Sequence, residues 1–313
     1  MSGALQGVFM NHRSFGPPPT QTFAIFALGN TSLGRQSIRN KYTYAGDVVS
    51  TGGAATVSSQ AGSAAGNSTV GIFALGVATA SAASTTRDKY TYSGCVVSAG
   101  GAATAASRDG SAAGNSTVGI FALGCASGDV TTRNKYTYSG DVVSAGGAAT
   151  VASSFGSAAG NSTAGIFALG LNAANTRTTI RNKYTYSSCV VAAATSATVG
   201  SGSGSAAGNS TVGIFALGCA APASPARVTI RNKYTYSGDV VSAGGAATVG
   251  SIGSSAAGSS TVGIFALGST ASGRVTTRDK YTYSGDVVSA GGAATEASTS
   301  GSAASNGTTG VNM

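Results

Sequence analysis

The sequence predicts an all-β fold in which six similar sheets close into a ring, and three observations lead to this prediction. Two short elements, IFALG and KYTY, each occur six times in the 313 residues. KYTY recurs at spacings of 48, 46, 48, 50 and 47 residues, a period typical of solenoids and propellers. Each unit contains four short segments with strand character, and the two ends of the chain share one unit. Together these features predict a six-bladed β-propeller of four-stranded antiparallel blades.

Residues 1–19 precede the repeats and form a predicted attachment arm. The stretch from Ala4 to Met10 is apolar, and the run from Gly16 to Pro19 is a stiff, extended linker because proline fixes the backbone. A solvated tail is the alternative interpretation of the same segment. The side chains that we expect a partner to bury are Leu5, Val8, Phe9 and Phe15.

Each repeat is predicted to contain four strands, as the second unit illustrates. Residues 62–68 form a short first strand and a turn, and residues 69–75 form a second strand that is apolar on both faces, as expected between neighbouring sheets. A loop of variable length follows at residues 77–86. Residues 89–92 alternate strictly, and residues 96–98 begin an outer strand. All twelve tyrosines lie in KYTY elements and are expected to pack between sheets.

The ends of the repeated domain, residues 20–313, predict how the ring closes. The chain enters at the second strand of a unit, with Ala24 to Leu28, and leaves with a first-strand segment, Gly301 to Asn306. In a ring, the C-terminal strand completes the N-terminal blade and removes the open edges. A linear solenoid would instead need distinct caps. We therefore expect the last strand to pair with the first blade.

Two resemblances follow from these motifs. The repeat resembles the kelch type of propeller, with an apolar strand ending in glycine, a variable loop, a tyrosine-bearing strand and a more polar outer strand. It has one glycine where kelch repeats have a pair, and the chain has no Trp. This resemblance implies the fold and no activity. The segment SGALQGVFMNHRSFGPPP is similar to the opening of bacteriophage tail-fibre and related virion proteins, which implies attachment to a virion.

The net charge of +9 indicates an anionic partner. Most of the excess comes from one triplet, Arg-Asn-Lys or Arg-Asp-Lys, that precedes each Tyr-Thr-Tyr. Around a ring these cations would form a docking surface for an acidic polymer or glycan; alternatively, they belong to solvated strands whose lysines prevent edge pairing. The candidate ring consists of Arg39, Lys41, Arg87, Lys89, Arg133, Lys135, Arg181, Lys183, Arg231, Lys233, Arg278 and Lys280.

Four cysteines form two pairs with equal spacing. Cys95 lies 30 residues before Cys125, and Cys189 lies 30 residues before Cys219. Disulfides within these pairs would link adjacent blades and stabilise the fold by about 3 kcal/mol each. They would also indicate an oxidising, extracellular setting. Duplication of a two-blade cassette explains the same spacing without bonds, and the predicted strand order places each pair at opposite ends of a blade.

Catalytic residues are scarce. The chain has one histidine, His12 in the arm, and one glutamate, Glu296. A Ser-His-Asp arrangement would have to use His12, and no pair of carboxylates recurs at a spacing suited to acid–base chemistry. One aspartate per turn is too few ligands for calcium, and no C-x-x-C motif suits zinc. The sequence therefore predicts a protein that is not an enzyme and has no cofactor or metal.

The predicted function is a bacteriophage virion component, in the tail or fibre, that attaches through its arm to other virion proteins. It would display the propeller to partner subunits or to a host-surface polysaccharide, as a homo-oligomer or as part of a larger assembly. The alternatives are a bacterial cell-surface adhesin or lectin and an intracellular protein-interaction propeller. We expect no nucleic acid as partner, no secretory signal and no membrane insertion, since no run approaches 18 apolar residues.

Overall fold

The computed structural model describes residues 22–78, 82–220 and 226–307. Within these ranges, six four-stranded antiparallel sheets form a ring of blades, which confirms the predicted all-β propeller. Within each blade, the strands follow one another from the axis outwards in chain order. Blade 1 is the exception, since its innermost strand is the last strand in the described part of the chain. Innermost strands of neighbouring blades contact one another around the whole ring.

The two inner strands of each blade are made of small and apolar residues and are almost entirely buried, because sheets pack against both of their faces. The innermost strands of blades 1 to 6 are Ser302–Ser305, Ser63–Gly66, Ser111–Gly114, Ser157–Gly160, Ser205–Gly208 and Ser255–Gly258. The second strands are Phe23–Ala27, Val70–Ala74, Val118–Ala122, Ala164–Ala168, Val212–Ala216 and Val262–Ala266.

The two outer strands differ in exposure. The third strands carry the Arg-x-Lys-Tyr-Thr sequence and are largely buried; they are Arg39–Thr43, Arg87–Thr91, Arg133–Thr137, Arg181–Thr185, Arg231–Thr235 and Arg278–Thr282. The outermost strands begin with an exposed valine; they are Val48–Thr51, Val96–Ala99, Val142–Ala145, Val190–Ala194, Val240–Ala243 and Val287–Gly291.

The two ends of the ring have different kinds of connection. At one end, the loop face, lie the loops between second and third strands and the connections between blades. Four two-stranded ribbons lie among the loop-face segments described: Asn30–Thr31 with Gly34–Arg35, Ser153–Ser154 with Leu171–Asn172, Ser201–Gly202 with Cys219–Ala220, and Ser269–Thr270 with Gly273–Arg274. At the other end, the turn face, lie the short hairpins, including the 3₁₀ turns Ala45–Asp47, Ser93–Cys95 and Ser139–Asp141. No helix in the described ranges is long and apolar enough to cross a membrane.

The ring closes as the sequence predicts, through the first and last strands. Ala24 stands opposite Ser305 and Ala27 opposite Ser302 in an antiparallel pair. Beyond the strand, the Phe23 N–H donates to the Asn306 side-chain oxygen at 2.7 Å. Blade 1 is therefore built from two segments that are far apart in the chain.

The aromatic residues pack between blades. Tyr90 and Tyr92 of blade 2 belong to one buried cluster with Phe23 and Ile25 of blade 1. The rings of Phe23 and Tyr92 meet edge to face with their centroids 5.4 Å apart, a favourable arrangement. A Cβ on Gly71 would lie only 2.8 Å from the Tyr92 hydroxyl. The glycine of this strand therefore makes room for the tyrosine near the axis.

Removing the closing strand should open the ring. A chain that ends at residue 300 loses the four backbone pairs of the last strand with Phe23–Ala27 and exposes the buried edge of blade 1. We expect a loss of at least about 4 kcal/mol in the free energy of unfolding, which is comparable to the whole stability of many domains. Chemical denaturation followed by circular dichroism measures this.

The control is a chain that ends at residue 307 and so keeps both the strand and the Asn306 contact. If the two truncated chains unfold at the same denaturant concentration, the last strand does not stabilise the ring.

Candidate functional site

The six arginines of the predicted basic ring lie between blades. Each is at most 1% exposed. The Arg87 guanidinium, for example, lies over the Phe121 ring of the next blade, 4.5 Å from its centroid, and donates to the Asn134 side-chain oxygen at 3.1 Å. This corrects the expectation of an exposed anion-binding ring for Arg39, Arg87, Arg133, Arg181, Arg231 and Arg278: a neighbouring phenylalanine covers each one.

The partner of each buried arginine is the middle residue of the Arg-x-Lys triplet in the next blade. Arg39 pairs with Asp88 and Arg231 with Asp279, both at 2.8 Å. At the other four interfaces the acceptor is an asparagine. These neutral interfaces involve Arg87 with Asn134, Arg133 with Asn182, Arg181 with Asn232, and Arg278 with Asn40.

A threonine at the same position of each repeat binds either acceptor, because its hydroxyl can donate or accept a hydrogen bond. The Thr56 hydroxyl donates to Asp88, whereas the Thr104 hydroxyl accepts from the Asn134 amide at 2.8 Å. In both cases the threonine N–H donates to the acceptor side chain at 3.0 Å. Aspartate and asparagine therefore fit the same geometry at these interfaces.

The neutral interfaces leave positive charge in the interior. Burial lowers the pKa of Arg87, Arg133, Arg181 and Arg278 to about 10, so that all four stay protonated at neutral pH. Burial also lowers the pKa of Arg39, where the Asp88 carboxylate opposes the effect. Four buried guanidinium charges thus lack a carboxylate partner among the described residues.

Replacing Asp88 tests how much the ion pair adds to this interface. Asp88→Asn should lower the free energy of unfolding by about 1–2 kcal/mol, because Arg39 would then donate to a neutral acceptor in a geometry that the other interfaces already use. Asp88→Ala should cost about 3–5 kcal/mol, because it leaves a buried charge unpaired. Urea denaturation measures both, and equal losses would contradict this account.

The six lysines of the predicted ring lie on the turn face. Four of them pair with a turn aspartate of the next blade at 2.9–3.0 Å: Lys89 with Asp141, Lys183 with Asp239, Lys233 with Asp286, and Lys280 with Asp47. In each of these blades the aspartate also accepts a hydrogen bond from a tyrosine, for example from Tyr136 to Asp141 at 2.8 Å. Hydrogen bonds from Tyr234 and Lys183 lower the pKa of Asp239, although burial opposes them as the largest single effect.

Lys41 and Lys135 face the two blades in which cysteine replaces the turn aspartate. The Lys41 ammonium lies 4.2 Å from the centroid of the Phe23 ring, and the Lys135 ammonium lies 3.7 Å from the Cys189 sulfur. Within the described chain, these two lysines have no carboxylate partner. Anion binding by the lysines of this face stays a prediction, and the carboxylates beside the other four weaken it.

All four cysteines are free thiols. Cys95 and Cys189 lie in turns of the turn face, whereas Cys125 and Cys219 follow second strands on the loop face. The expected disulfides Cys95–Cys125 and Cys189–Cys219 are therefore not formed, because each pair lies at opposite ends of the ring, beyond the reach of a disulfide.

The arm residues Leu5, Val8, Phe9 and Phe15 lie outside the described residues, and their role stays a prediction. Within the described ranges, no group of three or more His, Cys, Asp and Glu side chains is arranged to hold a metal ion.

A closed ring of backbone hydrogen bonds surrounds the axis on the loop face. One residue from each connection between blades takes part, and each has a positive φ of 54–61°. The N–H of each donates to the carbonyl of the preceding member at 2.7–2.9 Å. The members of this axial ring are Ala61, Asp109, Phe155, Ser203, Gly253 and Ser300.

An axial pocket of about 50 Å³ lies beside this ring, at the start of the innermost strands. Seven serines line it: the first serine of each innermost strand, and Ser254 beside that of blade 6. The first serines are Ser63, Ser111, Ser157, Ser205, Ser255 and Ser302. The hydroxyl of Ser205 is buried and has no hydrogen-bond partner in the described protein. The pocket therefore has a nearly sixfold arrangement of serines among glycine and alanine residues.

The side chains around the axis break this symmetry. Phe155 is 38% exposed, although most phenylalanines of the ring are buried. Arg108, which is 50% exposed, places its Nε 3.8 Å from the Asp109 carboxylate. Phe155 donates its N–H to the Asp109 carbonyl at 2.8 Å, so the three residues are neighbours. We call Arg108, Asp109 and Phe155 the mouth cluster.

Repeat alignment contains the signal that could have identified this cluster. Three and two positions before each innermost strand lie two residues that differ from unit to unit. These pairs are Gln60-Ala61, Arg108-Asp109, Ser154-Phe155, Gly202-Ser203, Ile252-Gly253 and Thr299-Ser300. These differences, and not the residues that the repeats share, mark the mouth cluster in the sequence.

Comparisons with known proteins identify a fold and no family. No protein-family model matches the chain, and no curated protein matches it in sequence. Among solved structures it is similar to YjhT, with a TM-score of 0.60 and 10% identity over 81% of this chain and 93% of YjhT. YjhT is one of 217 matching chains, so the likeness indicates a widely used fold. The kelch and tail-fibre resemblances stay predictions.

The Asp109 carboxyl should make stability depend on pH. Burial is the main cause that raises its pKa from 3.8 to about 6. The folded protein thus holds this proton more tightly than the unfolded chain does, and the resulting stability is present below about pH 4 and lost as the pH rises to about 6. Asp109→Asn should therefore stabilise the protein by about 1–3 kcal/mol at pH 7.5 and by much less near pH 4. Urea denaturation at both pH values measures this, and an equal gain at both would contradict it.

Proposed function

We propose that the protein is a non-enzymatic binding module whose ligand, a surface glycan, docks on the loop face at the mouth cluster. The observation that carries this proposal is that the sequence differences between the six blades are not spread evenly over the structure. The six blades share one framework, and the side chains that differ between blades are concentrated on the loop face, in the loops between second and third strands and in the connections near the axis. A scaffold for binding has this organisation, because a rigid frame presents variable loops.

The chemistry of the mouth cluster suits a sugar. An exposed aromatic ring packs against the apolar face of a pyranose, while a carboxylate and a guanidinium bind its hydroxyl groups. Phe155, Asp109 and Arg108 supply these three functions within one neighbourhood. By contrast, the turn-face aspartates are already bonded to lysine and tyrosine. On the loop face, the Asp109 carboxylate has Arg108 as its ion-pair partner, and the exposed Phe155 ring is the side chain that is free to take a ligand.

We further propose that the protein is a virion component of a bacteriophage tail or fibre, attached through residues 1–19. The support for this is the similarity of the arm to tail-fibre openings and its apolar residues Leu5, Val8, Phe9 and Phe15. Deletion of residues 1–19 should prevent incorporation into particles without changing the stability of the propeller. Incorporation at the normal level would reject this role and favour a cell-surface adhesin or lectin.

Phe155→Ser tests the glycan site with a residue that the chain itself uses, since Ser203 holds the equivalent place in the axial ring. We expect about a twofold to tenfold loss of affinity for host-surface polysaccharide, because one stacked aromatic contributes about 0.5–1.5 kcal/mol. Binding is measured by surface plasmon resonance on immobilised polysaccharide.

The control is Val142→Ser, which replaces another exposed apolar side chain, on an outermost strand. It should leave the affinity unchanged. Equal losses in the two variants, or none in Phe155→Ser, would reject the mouth cluster as the site.

A further inference from the structure

We propose that the axial pocket is a binding site for a small inorganic oxyanion such as sulfate or phosphate. The pocket is lined by seven serines, and its volume of about 50 Å³ exceeds the space that one water molecule needs. The hydroxyl of Ser205 is a buried donor with no partner among the described residues. Most buried hydroxyls have a hydrogen-bond partner, and in this cavity the partner would be water or an ion.

The sign of the surrounding charge selects an anion. Ala74 stands opposite Ser63, and Arg87 stands opposite Ala74, so the buried arginine lies two strands out from the pocket at the same end of the blade. Neighbouring strands are about 5 Å apart, which places the Cα atoms of Ser63 and Arg87 about 10 Å from each other. The same register holds in the other blades with a neutral interface.

Four uncompensated guanidinium charges therefore surround the pocket: Arg87, Arg133, Arg181 and Arg278. They act through the protein interior, where charges are screened less than in water. Asp109 directly precedes Gly110 and Ser111 of the lining, and its carboxylate lies 3.8 Å from the Arg108 Nε. Positive charge thus exceeds negative charge around the serine hydroxyls of the lining, and each hydroxyl has one O–H that it can donate.

The test is isothermal titration calorimetry, in which sodium sulfate or sodium phosphate is added to the full-length protein at constant ionic strength. We expect saturable binding with one site per chain. Ser205→Ala should weaken it because a donor is lost. Sulfate stabilises proteins generally by exclusion from their surface, and that effect does not saturate at one site.

Two reciprocal substitutions test the electrostatic part. Asn134→Asp gives Arg87 a carboxylate partner, in the same way that Asp88 is the partner of Arg39. Because it neutralises one of the buried charges, it should weaken sulfate binding about threefold to tenfold. Asp88→Asn removes a carboxylate from the same ring and should strengthen binding by a similar factor. Lys89→Gln is the control: it removes a cation from the turn face, and it should change the affinity less than twofold.

The proposal is overturned if no saturable binding occurs, or if Asp88→Asn and Asn134→Asp shift the affinity in the same direction. Binding of potassium in preference to sulfate would overturn it as well. Should one of the two variants fail to fold, the direction of the shift in the other decides. Polysaccharide binding by Phe155→Ser is a separate measurement, so the failure of either proposal leaves the other intact.

Discussion

Each blade is fixed to the next by an arginine that crosses the interface and lies over a phenylalanine of its neighbour. The guanidinium can be buried there only because the adjacent blade supplies both the aromatic face and an amide or carboxylate oxygen. The contact of Arg278 with Phe26 and Asn40 closes the series from blade 6 to blade 1. Since each contact requires the next blade, the stability of every blade depends on the completed ring.

The periodicity of the chain predicted the fold, the blade number and the closure, because strand alternation and repeat count are properties of the sequence itself. The burial of the arginines could not be predicted in the same way. Arg87 and Lys89 share one face of a strand, and alternation cannot separate them. Arg87 is buried because Phe121 of the next blade covers it, whereas Lys89 reaches Asp141 on the turn face.

The candidate site depends on contacts that exist only after closure. Asp109 and Phe155 are 46 residues apart in the chain, yet a hydrogen bond of the axial ring makes them neighbours. Both residues have a positive φ, which is uncommon outside glycine. The sequence does not indicate this conformation, because only one of the six equivalent positions is a glycine. Equal spacing of the cysteines likewise suggested bonds that their placement on opposite faces excludes.

The split first blade has a consequence for biosynthesis. Phe23 and its partner Asn306 are separated by 283 positions. At about 5–20 residues per second, the ribosome delivers the second half of blade 1 roughly 15–60 s after the first half. During that interval the nascent chain carries an unpaired apolar strand edge, which is prone to pair with other chains. Closure of the ring therefore waits for the synthesis of residues 302–305 and depends on keeping newly made chains apart.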